Sequence, residues 1–230
     1  MRPTILLFDI DRTLVDNGGA GRRAMERGLD AVHPGAVAAG WLDFELGGRT
    51  DPLIVAGALR RGGKDGPVEP VIATYLSFLA EELERARDRY VVYPGVRRRL
   101  EALSGQERVA LGLGTGNVER GARLKLAPGD LWRFFAFGGF GDDATERADV
   151  LRTGAQRGAG RLGLPVERCR TVVIGDTPRD IIAGRAIGAT CIGVATGDHR
   201  CDALSEAGAH HVFEDLDRPG VMAALLGQPA

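Results

Sequence analysis

The run Thr4-Ile-Leu-Leu-Phe-Asp9-Ile-Asp11-Arg-Thr13 constrains this chain most, because a wholly apolar strand stops abruptly at two carboxylates. Successive strand side chains point to opposite faces, so Ile5 to Phe8 reads as a strand buried on both sides, the pattern of a parallel sheet. Asp9 and Asp11 then stand in the polar loop at its carboxyl end, where open parallel sheets bind ligands. Read as chemistry, they are a nucleophile and an acid/base. Two carboxylates this close raise each other's pKa unless a cation lies between them, so a divalent metal is expected from the pair. The plain alternative is an Asx turn or a helix cap.

The rest of the chain supports such a sheet. From Pro94 onward strands and helices alternate: helix 95–104, strand 108–114, helix 117–127, strand near 134–138, helix 146–162 and strand 171–175. They continue as helix 178–187, strand 190–195, helix 201–208, a short strand 210–213 and helix 218–226. Alternation of this kind predicts an α/β fold, a Rossmann-like parallel sheet core with helices on both faces. Between Gly18 and Pro94 the apolar residues instead recur at three and four, over Ala24–Val32, Leu53–Leu59 and Val71–Leu83, with no strand pattern. Glycine and proline pairs such as Pro34-Gly35 and Gly62-Gly63 separate these segments. We therefore expect a core domain from 1–16 and 94–230, interrupted by a small all-helical domain over 17–93. The longest helix should run from Val68 toward Arg89 and end in a charged, solvated stretch.

Composition excludes several partners. A formal net charge of −1 over 230 residues, with basic residues scattered, offers no stripe for a nucleic-acid backbone. The cysteines Cys169, Cys191 and Cys201 are odd in number and lack CxxC spacing, which argues against a disulfide framework or zinc site. With no membrane-length apolar run and no leader pattern, the expected setting is cytoplasmic. Only Lys64 and Lys125 are lysines, so chemistry requiring a lysine has two candidates.

Other strand ends carry polar groups. Gly112-Leu-Gly114-Thr115-Gly116-Asn117 runs from a strand into a helix start, offering the Thr115 hydroxyl and first-turn amides to a phosphate. A dinucleotide fingerprint fails there, because Asn117 stands where the third glycine belongs. Gly112 and Gly114 are expected to let a helix approach the strand. Lys125, set among Ala122, Leu124 and Leu126, is a candidate phosphate contact, with Arg123 and Arg147 as alternative cations. Thr171-Val-Val-Ile-Gly175-Asp176-Thr-Pro178-Arg-Asp180 adds two more carboxylates, which a helix dipole alone would also explain. Carboxylate oxygens with few nitrogen or sulfur neighbours suit a hard cation, Mg²⁺ above all. The histidines lack ligand spacing, and Trp41 and Trp132 read as packing residues.

The ordered set Asp9-Ile-Asp11-Arg-Thr13, Thr115, a lysine, and Gly175-Asp176 with Asp180 resembles the haloacid dehalogenase (HAD) superfamily of phosphohydrolases, and the helical insert resembles that family's alpha-helical cap. Phosphoglycolate phosphatase-like hydrolases are the nearest look-alikes. The resemblance implies Asp9 as the attacking nucleophile, Asp11 as acid and base, and Thr13 as a support of the loop. It implies Mg²⁺ held by the Asp9 carboxylate, the Asp11 carbonyl, Asp176 and Asp180, and the transferring phosphoryl group bound by Thr115, Gly116, Asn117 and Lys125. In many relatives the lysine precedes a Pro-x-Pro ahead of the third core helix; here that stretch is Gly141-Asp142-Asp143-Ala-Thr-Glu146-Arg147, without lysine.

The implied activity is hydrolysis of a small phosphorylated metabolite of phosphoglycolate or sugar-phosphate type. In the insert, Leu46-Gly47-Gly48-Arg49-Thr50-Asp51 is the candidate contact with the leaving group: Arg49 for a second anion, Thr50 and Asp51 for capping the next helix. Asp11 speaks against dehalogenation, which needs no leaving-group acid. Phosphonoacetaldehyde hydrolysis would need Lys64 as its Schiff base, and a phosphosugar mutase would share the first step. A signalling receiver domain carries its acidic residues in another order, and a catalytically silent phosphate-ester binder would have lost Asp9 or Asp11. The oligomeric state is not legible.

Overall fold

Strand β1 (Thr4–Phe8) is buried along its whole length, as its unbroken apolar run requires. The computed structural model describes residues 2–228, and among them six parallel strands form one sheet in the order β5-β4-β1-β6-β7-β8. β4 (Val109–Gly114) and β6 (Arg170–Gly175) flank β1, with Leu7 level with Gly112 on one side and Val173 on the other. β5 (Phe137–Gly139) forms one edge, while β7 (Thr190–Val194) and β8 (His211–Phe213) extend the other. Strand order therefore reverses at β1, which puts Asp9 at the switch point where such sheets bind ligands.

The two faces of β1 feed separate apolar clusters. Leu6 and Phe8 pack with Leu100, Leu113, Ile174 and Leu225, whereas Ile5 and Leu7 pack with Leu151, Ala155, Val173 and Ala183. The period of two seen in the sequence thus becomes a covered sheet. The covering helices are α4 (Val96–Ser104), α5 (Glu119–Leu126), α6 (Arg147–Arg161), α7 (Pro178–Ala186), α8 (Cys201–Glu206) and α9 (Val221–Leu226), the chain order of α1 to α3 falling in the insert below. Most expected elements fall within a few residues of these bounds. The strand expected near 134–138 starts at Phe137, because Trp132–Phe134 turn as a short 3-10 helix. The last helix starts at Val221, after Gly220 adopts a left-handed φ of 83°.

Gly114 keeps its expected role, since a Cβ there would lie 2.6 Å from Leu151 on α6. Gly112 does not: its Cβ would meet the Phe137 ring of the neighbouring strand at 2.3 Å, so it makes room within the sheet rather than for a helix.

The segment following β1 is helical: α1 (Ala20–Val32), α2 (Asp51–Arg61) and α3 (Glu69–Arg85). Met25, Leu29, Ile54, Leu59, Tyr75 and Leu79 build an apolar cluster of their own there. α1 and α3 approach so closely that a Cβ on Gly28 would lie 2.7 Å from the Tyr75 backbone nitrogen. The late residues Glu84, Arg85, Arg87, Asp88 and Arg89 are exposed as expected. Their neighbour Glu82 is instead buried, and takes Arg23 and Arg27 at 2.8 Å each. One expectation fails where the insert meets the sheet: β2 (Val15–Asp16) and β3 (Val91–Val92) pair antiparallel across the two chain crossings. Two residues a side leave no periodicity to read. Among the described residues no helix is long and apolar enough to cross a membrane.

Candidate active site

Asp9 leaves the end of β1 with its backbone N–H bonded to the Ile174 carbonyl of β6 at 2.9 Å, so the sheet itself fixes its position. Its carboxylate is buried beside those of Asp176 and Asp180, the three offering oxygens within 4.8 Å of one another. Burial comes first in raising the Asp9 pKa to about 6, with Asp180 and Asp11 adding repulsion and Arg147 opposing it. Burial first, then repulsion from Asp180 and Asp9, pushes Asp176 to about 9. A buried cluster of hard oxygens whose charge is this costly fits a divalent cation such as Mg²⁺.

Asp180 shows how the motif glycine is used. α7 begins with a capping box: Thr177 Oγ1 accepts from the Asp180 N–H, while Asp180 Oδ2 accepts from the Thr177 N–H at 3.1 Å. The carboxylate therefore folds back on Gly175, where a Cβ would lie 2.4 Å from its carboxyl carbon. Thr13 Oγ1 donates to Asp176 Oδ1 at 3.3 Å, which ties the loop after β1 to the end of β6. Between Asp11 and Thr13, Arg12 takes a left-handed φ of 62°, so the turn that follows the two aspartates is sterically strained.

Arg147 opens α6 and is buried against this cluster. Its Nη2 lies 2.8 Å from Asp9 Oδ1 and 2.5 Å from Asp180 Oδ1, and it donates to the Gly114 carbonyl at 3.2 Å. Asp180 Oδ1 is poorly aligned for a hydrogen bond, and Arg147 Nε has no hydrogen-bond partner among the described residues. Residues 141–146 hold no lysine or arginine, and the next residue, Arg147, places a cation beside Asp9 and Asp180.

Asp11 has a different set of partners. Lys125 Nζ lies 2.7 Å from its Oδ2, Asn117 Nδ2 donates to the same oxygen at 2.9 Å, and Asn17 Nδ2 donates to Oδ1 at 2.6 Å. Burial would raise the Asp11 pKa, but Lys125 and Asn117 outweigh it and hold the group below its ordinary value. Lys125 is buried too; burial alone would lower its pKa, and Asp11 and Asp51 keep it firmly charged. Asp9 is thus raised, in part by Asp11, while Asp11, two residues on, is held down by its own cation.

The Thr115 loop departs from expectation. Thr115 is fully buried rather than presented at the helix start, and its Oγ1 accepts from Asn117 Nδ2 at 2.9 Å. Two amides at the start of that helix are not free either: the Val118 N–H donates to Asp51 Oδ2 at 3.0 Å, and the Glu119 N–H to Asp142 Oδ2 at 2.5 Å. Gly116 and Asn117 do line the cavity beside Asp9, Asp11, Lys125 and Arg147, a space of about 560 Å³. Its other wall comes from the insert, including Arg22, Met25, Phe44, Arg49, Ile54 and Tyr75.

Arg49 lines that cavity with its Nε donating to the Glu45 carbonyl at 2.9 Å and its guanidinium 5.6 Å from the Phe44 ring centre. Thr50 caps α2 as expected, accepting from the Leu53 N–H at 3.3 Å. Asp51 does not cap; it reaches across to Val118, and burial pushes its pKa to about 6. Arg123 and Lys64 are exposed, and neither lines the cavity. Sequence reading ranked Arg147 behind Lys125, took Asp51 for a helix cap, and passed over Asn17 and Tyr75. The strand-end rule, applied to β5, would have drawn attention to the loop that leads to Arg147.

Comparison with known proteins agrees with this fold. Residues 151–219 match the Hydrolase_like family, described as "HAD-hyrolase-like". A phosphoglycolate phosphatase of Pseudomonas fluorescens (strain Pf0-1) is 27% identical over 231 residues, spanning 96% of this chain and 80% of that protein. A hydrolase of Pseudomonas syringae of known structure is 24% identical, with a TM-score of 0.67 over 99% of this chain and 100% of that one. CbbY of Rhodobacter sphaeroides, solved in complex with xylulose-(1,5)bisphosphate, has a TM-score of 0.71 at 20% identity, over 98% and 99% of the two chains. In its sheet order and its ordered aspartate motifs the chain is similar to haloacid dehalogenase-like hydrolases, and along its length to phosphoglycolate phosphatases.

Proposed function

We propose that this chain is a Mg²⁺-dependent phosphatase that hydrolyses a small phosphorylated metabolite, of phosphoglycolate or sugar-phosphate type, through an aspartyl-phosphate intermediate. One observation carries the reading: Asp9 and Asp11 converge on one cavity with separate partners, Arg147 for the first and Lys125 with two asparagines for the second. That division suits a nucleophile beside a charge-neutralising cation, and an acid/base that must stay oriented.

In this mechanism an Asp9 carboxylate oxygen attacks phosphorus, the bond from phosphorus to the leaving oxygen breaks, and the phosphoryl group rests on Asp9. The leaving oxygen takes its proton from Asp11. Because Lys125 favours ionised Asp11, that proton enters with the phosphomonoester itself, whose second pKa is about 6. In the second half, Asp11 takes a proton from water, the water oxygen bonds to phosphorus, and the bond to Asp9 breaks to release inorganic phosphate. Arg147 stands by the transferring oxygens, where charge builds up. Asp9, Asp176 and Asp180, with the Asp11 carbonyl, would hold Mg²⁺, which when bound offsets negative charge on the phosphoryl oxygens.

The helical insert over 17–93 acts as a cap. It walls the cavity against water, and Arg49 meets a second anionic group on the leaving side. The exposed position of Lys64, away from the cavity, speaks against a Schiff-base mechanism. The test is phosphate release from a panel of phosphorylated two- to six-carbon acids and sugars, with Mg²⁺ or with EDTA. Release that needs Mg²⁺ and ranks the panel supports the reading; no release from any member by folded protein with Mg²⁺ overturns it.

A further inference from the structure

Asp51 belongs to the insert but spends its polar groups on the core. Its N–H donates to the Gly116 carbonyl at 2.7 Å, and its Oδ2 accepts from the Val118 N–H at 3.0 Å. These bonds grip the backbone on either side of Asn117. Asn117 in turn donates to Asp11 Oδ2 and accepts from Lys125 Nζ at 2.6 Å. The contact is close: a Cβ on Gly116 would lie 2.1 Å from the Arg49 carbonyl oxygen and 2.9 Å from Thr50 Cα, so only glycine lets the insert's loop seat on it. Next to Asp51, Thr50 Oγ1 donates to the Thr145 carbonyl at 3.1 Å, two residues before Arg147.

We infer that Asp51 is a positioning residue which makes the orientation of Asp11 depend on the seating of the insert against the sheet. The inference rests on the phosphatase reading above. A carboxylate buried at a domain contact and bonded only to backbone has no capping duty to explain it, since Thr50 already caps α2. Its bonds hold Asn117, and Asn117 holds both Asp11 and the lysine that charges it. When the insert lifts away, the grip on residues 116–118 goes with it, and Asp11 loses its fixed direction. Proton delivery to a leaving oxygen then occurs only with the cavity closed, where water is excluded.

The variants Asp51→Ala and Asp51→Asn separate this from a structural role. An alkoxide needs a proton as it leaves, whereas p-nitrophenolate does not, so a residue acting through Asp11 matters for the first and little for the second. For Asp51→Ala we expect kcat/KM to fall about 10- to 100-fold on an alkyl phosphate and less than about threefold on p-nitrophenyl phosphate. Asp51→Asn keeps an acceptor for Val118 and should stay within about threefold of wild type on both. Amide hydrogen exchange at Val118 reads the contact without turnover, with protection lost in Asp51→Ala alone. Equal losses on the two substrates, no loss on the alkyl phosphate, or unchanged Val118 protection in Asp51→Ala each overturn the inference. A wild type inactive on both substrates, with Val118 protected, overturns instead the phosphatase reading on which it rests.

Discussion

Arg147 lies on two of the three carboxylates that would hold a metal, Asp9 at 2.8 Å and Asp180 at 2.5 Å. Cation and metal therefore draw on the same oxygens. Replacing Arg147 with methionine should tighten Mg²⁺ binding, read by calorimetry, while phosphate release falls about 100-fold. Weaker binding in that variant would mean that the guanidinium supports the metal rather than competing with it. The raised pKa values of Asp9 and Asp176 also set a pH trend. A carboxyl whose folded pKa exceeds its unfolded value stabilises the fold below about 4, and that contribution is lost as pH climbs through the folded value. Without divalent ions, the melting temperature should thus decline between pH 5 and 9 more steeply, by about a few degrees, in wild type than in Asp176→Asn. Added Mg²⁺ should raise it in wild type and leave Asp176→Asn nearly unmoved. At this scale Asp9, Asp11, Asp176 and Asp180 were legible because each stands within five residues of a strand end. Asn17 was not, Arg147 stood only as an alternative cation and Asp51 only as a helix cap, because their roles depend on which loops meet in space, and an arginine in a chain with 28 of them carries no local mark.

Among the elements, the close seat of α6 against β4 and β5 is what brings Arg147 to the carboxylates. It depends on glycines: a Cβ on Gly139 would lie 1.9 Å from the Val150 carbonyl oxygen, and one on Gly114 2.6 Å from Leu151. Gly139→Ala should push α6 off the sheet, destabilising the protein by about 1–3 kcal/mol in denaturant unfolding and costing activity beyond that expected from the unfolded fraction. Activity that merely tracks the folded fraction would show that α6 can shift without moving Arg147. The alternating strands and helices were readable from apolar periodicity, since each buries a face. The β2–β3 pair was not, as two residues a side give no period, and neither was the loss of the α5 amides to Asp51 and Asp142, which come from other segments.

Across the whole molecule, polar contacts at two corners add to the packing of Val118 and Leu124 into the insert's apolar cluster. One is the Thr50–Asp51 contact with residues 116–118 and 145. The other joins Glu45 and the Gly47 carbonyl of the insert to Arg179 at 2.8 Å each, with His199 lying 3.6 Å from Glu45. Arg179 holds the Glu45 carboxyl below its ordinary value, but the pair is exposed and its worth is modest. Arg179→Ala should accordingly alter kcat and KM by less than about fivefold, with an effect that shrinks as salt is raised. The central claim at this scale is that the closed cavity lets Asp9 carry the phosphoryl group. Its most direct test is to quench the protein in acid during turnover with Mg²⁺ and a substrate found by the panel, and to weigh its peptides. A gain of about 80 Da on the peptide bearing Asp9, absent in Asp9→Asn, is the predicted result; steady turnover with no modified Asp9, or full activity in Asp9→Asn, would contradict it.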